Sequence, residues 1–368
     1  MKILVTGSDG FIAKNLIQEL RNQKYQELFL CNRKTSKEEL ELYVAESDVI
    51  IHLAGVNRPQ SNAEFQVGNV ELTEQIINLM KVHVKKRKFI FSSSVQAEYN
   101  NPYGTSKKEA EELLKAYALE GKIELYIYRL TNVFGKWCKP NYNSVVATFC
   151  NNIARDLDIR VNDANAKLNL VYIDDVVSSF INVLENEIDA GGYVDIEPEY
   201  QVTVGELANL IAKFKELRYN YQTPDMSDDF EKKLYSTYLS YLDVKDFMYP
   251  LKMNVDERGS FTEFLRSGAA GQVSINVAKP GIVKGNHWHH TKVEKFLVVK
   301  GKAQISFRNM ITNEIIDYVV SGEKLEAVDI PTGYTHNIKN IGEEDLVTVM
   351  WANEPFNPEK PDTYYEEV

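Results

Sequence analysis

The chain is 368 residues long, 44% hydrophobic and 26% charged, too long for a single core and too apolar for a disordered polypeptide, so two domains are expected. Its 42 Lys and Arg stand against 53 Asp and Glu, a formal charge of -11, an acidic excess that argues against nucleic acid as a partner. The N-terminal apolar run is far too short for a signal peptide and no stretch approaches the ~18 apolar residues of a membrane span, so a cytoplasmic protein without a membrane partner is expected.

From Lys2 to about Arg129, short β-rich apolar runs alternate with amphipathic stretches. Strands are expected at Ile3–Thr6, Leu28–Cys31, Val49–Leu53, Phe89–Ser92 and Leu125–Arg129, and helices around Ile12–Leu20, Val70–His83 and Lys107–Tyr117. The alternation predicts an α/β fold, a doubly wound parallel sheet of Rossmann type covered on both faces. Val171–Leu184 extends the pattern, and a helix around Val204–Phe214 leads into Leu217–Phe247, rich in Tyr and acidic residues and without a clear strand. From Lys252 onward the character changes to short strands separated by Gly, Pro and Asn turns: Gln272–Val277, Lys295–Val299, Ala303–Arg308, Ile315–Val319, Lys324–Ile330 and Leu346–Trp351. That spacing is of an all-β barrel or sandwich. Domains are therefore expected at 1–245 and 246–368, the acidic tail Pro355–Val368 lying over a surface. Cys31, Cys138 and Cys150, odd in number and without CxxC spacing, are expected as reduced, mostly buried thiols.

The first strand runs into Gly7-Ser8-Asp9-Gly10-Phe11-Ile12-Ala13 and then a helix. Gly7 allows a tight turn, Gly10 lets a pyrophosphate approach the amides of the helix N-terminus, and small Ala13 permits close helix-strand packing, so a dinucleotide site is expected. The second strand ends at Leu30-Cys31 and is followed by Asn32-Arg33-Lys34, where an NAD site usually carries an acidic residue. Two cations suit a 2′-phosphate and favour NADP(H); the alternative is a solvated basic loop. Tyr103 and Lys107 stand four apart at the start of a helix and share a face. An ammonium near the phenol would lower its pKa, which makes Tyr103 a candidate acid/base at a carbonyl oxygen. The serines of Phe91-Ser92-Ser93-Ser94 close the preceding strand at the sheet edge where ligands bind, and one of them can hydrogen-bond the same carbonyl.

Over the first ~240 positions the chain resembles the extended short-chain dehydrogenase/reductases that act on nucleotide sugars. The resemblance rests on Thr6-Gly7-x-x-Gly10-x-x-Ala13, His52-Leu53-Ala54-Gly55, Ser94 with Tyr103 and Lys107, Arg129-Leu130-Thr131-Asn132-Val133-Phe134-Gly135 and Val171-Tyr172-Ile173-Asp174-Asp175-Val176. It implies that Ser94, Tyr103 and Lys107 are catalytic and that Asn132 contacts the nucleotide sugar. It further implies a cofactor along Gly7, Asp9, Gly10, Phe11, Ile12, Asn32, Arg33, Lys34, Leu53, Ala54 and Lys107, and a UDP-sugar held by Asn132, Arg129, Lys167 and Arg258. Two positions depart from the family pattern. Ala13 stands where Gly is common, and Leu168, beside Lys167, stands where many relatives place a diphosphate-binding Arg, leaving Lys167, Arg155 and Arg160 as candidates for that role.

Four of the six His lie between 287 and 336, in Gly281-x5-His287-x-His289-x4-Glu294-x6-Gly301 and Pro331-x-Gly333-x2-His336-x3-Asn340. On a strand His287 and His289 point the same way, and Glu294 and His336 can arrive from neighbouring strands. Three imidazoles and a carboxylate suit zinc or another borderline divalent metal. The spacing resembles that of the cupins over about Leu251–Trp351, with Leu325 where a Gly is common, so that the turn there is expected near Gly322. Asp256–Glu263 resembles the opening segment of cupin epimerases of dTDP-4-keto sugars. The metal of such a barrel is either a Lewis acid or a structural tie.

A 4-keto sugar has an acidic proton at C3, so a base can invert C3 only before C4 is reduced. Candidates for that base are His290, Glu263 and Lys292. A short-chain reductase followed by a cupin resembles a family of bacterial capsular polysaccharide biosynthesis enzymes. That resemblance implies C3 epimerisation of a UDP-2-acetamido-2,6-dideoxy-4-hexulose in the cupin and NADPH-dependent C4 reduction to UDP-N-acetyl-L-6-deoxytalosamine, toward UDP-N-acetyl-L-fucosamine, by an oligomer, usually a dimer. Two alternatives stay open: a reductase whose cupin only binds sugar or oligomerises, and an epimerase or dehydratase that recycles bound NADP(H).

Overall fold

Five short apolar strands, β1 (Ile3–Thr6), β2 (Leu28–Cys31), β3 (Val49–His52), β4 (Arg87–Ser94) and β5 (Ile123–Leu130), pair in parallel in the order β2-β1-β3-β4-β5. The computed structural model describes residues 1–83, 85–186, 192–251, 253–256, 259–262, 265, 271–354 and 359–368, with the backbone alone for 253–256, 259–262, 272 and 274. A small parallel sheet follows from β6 (Asn132–Phe134) and β7 (Lys167–Tyr172), while β8 (Gly192–Tyr193) extends the main sheet beside β5 and β9 (Tyr200–Thr203) lies beside β7. Helices α1 (Phe11–Asn22), α2 (Lys37–Glu46), α3 (Ala63–Phe65), α4 (Leu72–Val82), α5 (Pro102–Ala118), α6 (Val145–Ala154) and α7 (Ile173–Glu185) alternate with these strands. The Rossmann-type parallel sheet expected from the alternation is therefore present.

Local chemistry sets the helix starts. Ser36 accepts from Glu39 N–H while the Glu39 carboxylate accepts from Ser36 N–H, a capping box that starts α2 where no helix is expected above. Asn101 caps α5 through Gly104 N–H and Pro102 follows as the first helical residue, so this helix begins five residues earlier than the apolar pattern suggests and takes Tyr103 into its first turn. Leu4, Ile50, Phe89, Phe91 and Ile127 of the sheet pack with Leu40, Ile76, Met80 and Leu114 of the helices in one buried cluster. Each such side chain contributes roughly 1.5–3 kcal/mol on leaving water.

By contacts the chain divides into two compact units, Met1–Ser144 with Lys167–Val202, and Val145–Ala166 with Thr203–Val368. In the second unit α6 packs with α8 (Val204–Tyr219), which opens on a Thr203/Glu206 capping box, and with α9 (Asp229–Leu239). The remainder is antiparallel β-structure: β10 (Met248–Pro250), β11 (Met253–Asp256), β12 (Gly259–Thr262), β13 (Gln272–Ala278), β14 (Val283–Trp288), β15 (Glu294–Lys300), β16 (Lys302–Asn309), β17 (Ile315–Ser321), β18 (Glu326–Ile330), β19 (Tyr334–Asn340), β20 (Leu346–Ala352) and β21 (Tyr364–Tyr365). Two five-stranded sheets run β10-β18-β15-β20-β13 and β17-β16-β19-β14-β21, and β11 and β12 form a hairpin. Ser321 bridges Lys324 around Gly322, the turn position expected from Leu325. All three cysteines are free. Among the described residues no helix is long and apolar enough to cross a membrane.

Candidate active site and metal centre

Gly7 leaves β1 with φ +67°, and a Cβ there would lie 2.7 Å from the Ala54 Cα, so both the turn and the close approach of Leu53-Ala54 require glycine. Ser8 N–H donates to Cys31 O and Gly10 N–H to Gly7 O. Helix α1 then opens at Gly10 with no side-chain cap and no acidic residue in its first turn, so the amides about Phe11 and Ile12 and the positive end of the dipole suit a pyrophosphate beside Asp9. After β2, Asn32 shapes the turn by accepting from Lys34 N–H at 2.9 Å, and Arg33 and Lys34 project from it exposed.

Ser94 ends β4, where its hydroxyl accepts from Gln96 N–H, and Tyr103 lies in the first turn of α5 with its ring 5.7 Å from that of Phe65. Burial raises the Tyr103 pKa above its ordinary value, with Ser94 opposing. This reverses the depression expected from a neighbouring ammonium: Lys107 is 5% exposed, and its Nζ donates to Ser92 O at 2.8 Å and lies 4.9 Å from the centre of the Phe91 ring. Burial lowers the Lys107 pKa to about 8, against the pull of Glu111. Tyr103 is thus a protonated phenol at neutral pH, poised to donate.

Buried hydrogen bonds tie the cofactor turn to this helix. Ala54 N–H donates to Thr6 Oγ1, which lies 2.6 Å from His52 Nδ1; His52 Nε2 lies 3.0 Å from Thr73 Oγ1, which donates to Asn69 O. Since the Thr73 hydroxyl proton goes to Asn69, His52 donates from Nε2 and accepts at Nδ1. Burial holds that imidazole neutral, with its pKa at about 3. Asn69, in the π-helical turn Gln66–Glu71, donates to Ser106 Oγ at 2.9 Å, and Ser106 donates to Tyr103 O at 2.8 Å.

In the second unit one ligand atom each from His287, His289, Glu294 and His336 lies within 4.8 Å of the others. His287 belongs to β14 and His289 follows its end, and their rings lie 4.9 Å apart; Glu294 opens β15 in the facing sheet and His336 comes from β19. Glu294 Oε2 is 3.2 Å from His336 Nε2 and 3.5 Å from His289 Nε2. His289 Nε2 is buried with no hydrogen-bond partner, as expected of an atom whose lone pair is meant for a cation. Burial pushes the Glu294 pKa up, but the two imidazoles outweigh it and hold the carboxyl well below its usual range; burial pulls His287 down to about 4, keeping its lone pair available. The donor set fits zinc.

Residues 3–196, more than half of the chain, match the NAD dependent epimerase/dehydratase family. The chain belongs to that family. Residues 254–364 match the polysaccharide biosynthesis C-terminal domain. Over 364 residues, 99% of this chain and 98% of the relative, it is 43% identical to the UDP-2-acetamido-2,6-beta-L-arabino-hexul-4-ose reductase of Pseudomonas aeruginosa. The crystal structure of the capsular polysaccharide assembling protein CapF from Staphylococcus aureus is 50% identical, with both chains fully covered and a TM-score of 0.68, so this chain is homologous to CapF. A UDP-glucuronic acid 4-epimerase from Bacillus cereus in complex with NAD, 21% identical over 59% of this chain and 83% of its own, has a TM-score of 0.54 and shares the fold.

The structure brings together Gly7, Gly10 and Ala54, then Tyr103 and Lys107 on one helix with Ser94 at the end of β4, and the four candidate ligands of the second unit. Arg129 is placed otherwise: its guanidinium donates twice to Glu111, at 3.0 and 2.7 Å, and once to Glu98, and stacks on Tyr193. Asn132 is exposed and donates to Asn169 O; Lys167 is exposed at the start of β7; Arg155 donates to Asn151 O and Tyr241 O. Arg258 and Glu263 lie outside the described residues. His290 packs against Trp288 and Tyr364, and Lys292 Nζ donates to Pro361 O, so both side chains are engaged away from the ligand cluster. Arg58 and Lys139, which the sequence reading passes over, lie 5.8 and 5.4 Å from the centre of the Tyr142 ring, on loops that follow β3 and β6.

Proposed function

We propose that the chain is a two-site nucleotide-sugar enzyme of capsular polysaccharide precursor synthesis. Residues 246–368, a cupin barrel, invert C3 of a UDP-2-acetamido-2,6-dideoxy-4-hexulose; residues 1–245 then reduce C4 with NADPH to UDP-N-acetyl-L-6-deoxytalosamine, toward UDP-N-acetyl-L-fucosamine. The protein works in the cytoplasm as a homodimer. The observation that carries this reading is Tyr103 in the first turn of α5 with Lys107 one helical turn on and Ser94 at the end of β4, in a chain that also builds a His3Glu cluster. The P. aeruginosa relative, a reductase of a hexul-4-ose, supports the substrate, and the S. aureus relative supports the pathway.

In the reduction, Tyr103 gives its proton to the C4 oxygen while Ser94 orients phenol and ketone. Bound NADPH supplies the hydride that goes to C4. Lys107 places positive charge behind the phenol as it becomes phenolate. Lys167, Arg58 and Lys139 hold the diphosphate. In the barrel, His287, His289, Glu294 and His336 hold a divalent metal, which when bound supplies positive charge for an oxyanion developing on the substrate. Incubation of the 4-keto substrate in D2O without NADPH tests the two-site reading by NMR at H3. Deuterium entering C3 is expected; an untouched H3 with NADPH still oxidised on addition would make the second unit a binding module.

Because the Lys107 pKa is lowered to about 8, its charge is complete below that pH and is lost above it. The kcat/KM for reduction should stay flat from pH 6 to about 8 and then fall toward ten-fold per pH unit. In Lys107→Met that limb should vanish along with most of the rate; a wild-type profile flat beyond pH 9 removes Lys107 from this role.

Arg33 and Lys34 support NADP(H), since both are exposed on the turn that follows β2. Replacing both with Ala should raise KM for NADPH roughly ten-fold or more and leave that for NADH nearly unchanged, as expected when charge-assisted contacts to a 2′-phosphate are lost. Equal effects on both cofactors would assign the pair to the solvated loop.

A further inference from the structure

We infer that residues 361–367 act as a strap that sets the metal site, with Asp362 as its anchor; this rests on the reading of His287, His289, Glu294 and His336 as metal ligands. Nδ1 of His289 lies 2.6 Å from the main-chain oxygen of Asp362. A carbonyl oxygen only accepts, so Nδ1 carries the proton and the lone pair on Nε2 faces Glu294 and the other imidazoles. The same residue's carboxylate closes the turn after His289. Oδ1 accepts from His290 N–H at 2.9 Å, and Oδ2 accepts from Thr291 N–H at 2.9 Å, Thr291 Oγ1 at 3.0 Å and Lys292 N–H at 2.8 Å.

Asp362 makes these contacts with φ +33°, in the left-handed region where Asp is tolerated better than most residues. On both sides of it the strap is fastened to ligand-bearing elements. Lys292 Nζ donates to Pro361 O; Tyr364 and Tyr365 pair with Trp288 and His287 of β14; Glu366 N–H donates to Asn286 O, and Thr335, beside His336, donates to Glu366 O. One segment therefore fixes the tautomer of one ligand, the turn that carries it and the strand beneath it. Outer hydrogen bonds of this kind hold a ligand's orientation, and their loss usually lowers metal affinity 10- to 100-fold.

The test is the zinc affinity of the full chain, measured by competition with a chromogenic chelator, alongside the thermal melting of each protein in EDTA. Asp362→Ala keeps the main-chain oxygen but releases the turn, and should bind zinc about 10-fold more weakly; deletion of residues 360–368 removes both and should cost about 100-fold. Asp362→Asn retains an acceptor oxygen and should recover part of the affinity. Ile315→Ala, at an exposed position of β17 at the opposite edge of the sheet from the strap, should bind as wild type. If Asp362→Ala melts lower in EDTA yet binds zinc as tightly as wild type, the segment is a structural cover and the inference is overturned. A wild-type chain that takes up no zinc overturns the metal reading and the strap together, whereas zinc binding unchanged by the deletion overturns the strap alone.

Discussion

Tyr103→Phe should abolish NADPH oxidation while leaving deuterium exchange at C3 intact. The variant loses only a hydroxyl, and the ring keeps its packing against Phe65, 5.7 Å away. Helix α5 keeps its own anchors, because Asn101 caps it and Ser106 bonds the main-chain oxygen of residue 103, neither of which uses the phenol. What disappears is the proton donor for the C4 oxygen, a contribution of roughly 10²–10⁴ in rate, or about 3–5 kcal/mol of barrier. Burial makes the donor role the natural one: a phenol whose pKa is raised stays protonated where a lowered one would already be ionised. Exchange at C3 needs no hydride and no proton at O4, so under the two-site reading it proceeds in this variant. The measurement is a pair of assays on one preparation, NADPH absorbance and the H3 signal in D2O. Loss of both activities together would place both reactions in one site.

Much of this site was legible in the sequence because its chemistry is local. Gly7 and Gly10 sit three apart in one turn, Tyr103 and Lys107 one helical turn apart, and His287 and His289 two apart about the end of a strand. Six of the antiparallel strands after residue 252 were legible from their turn residues for the same reason, whereas β14 and β19 were not in that series. Helix α2 carried a readable signal in Ser36-x-x-Glu39, but its weak apolar periodicity gave no reason to look there. What stayed hidden depends on partners far along the chain. Arg129 belongs to a motif that suggests substrate contact, yet it meets Glu111 and Glu98 only after β5 lies against α5. The direction of the Tyr103 shift turned on burial, which spacing does not encode. Asn69 lies 37 residues from Ser106, and Asp362 lies 72 from His290, so neither contact leaves a periodic trace.

Removing the metal should lower the thermal transition of the second unit sharply and leave that of the first in place. Glu294 and three imidazoles are held within 4.8 Å, on two facing sheets and the turn that ends β14, so a bound cation ties both sheets together. Without it, Glu294 Oε2 keeps only its approaches of 3.2 Å to His336 Nε2 and 3.5 Å to His289 Nε2. Such contacts are a weaker tie than four coordinate bonds. A metal present at a thousand times its Kd stabilises the folded state by about 4 kcal/mol, which for a unit of this size is roughly 8–16 °C. Calorimetry with EDTA and with added zinc should therefore separate two transitions, of which only one moves, and Glu294→Gln should move with EDTA-treated wild type. Superimposable melts with and without EDTA would mean that no metal ties the sheets. The C3 exchange assay run on the EDTA-treated protein well below its lower transition decides between the two roles of the metal. If exchange stops while the unit is still folded, the charge held by His287, His289, Glu294 and His336 acts on the substrate; if exchange continues, those residues serve the fold.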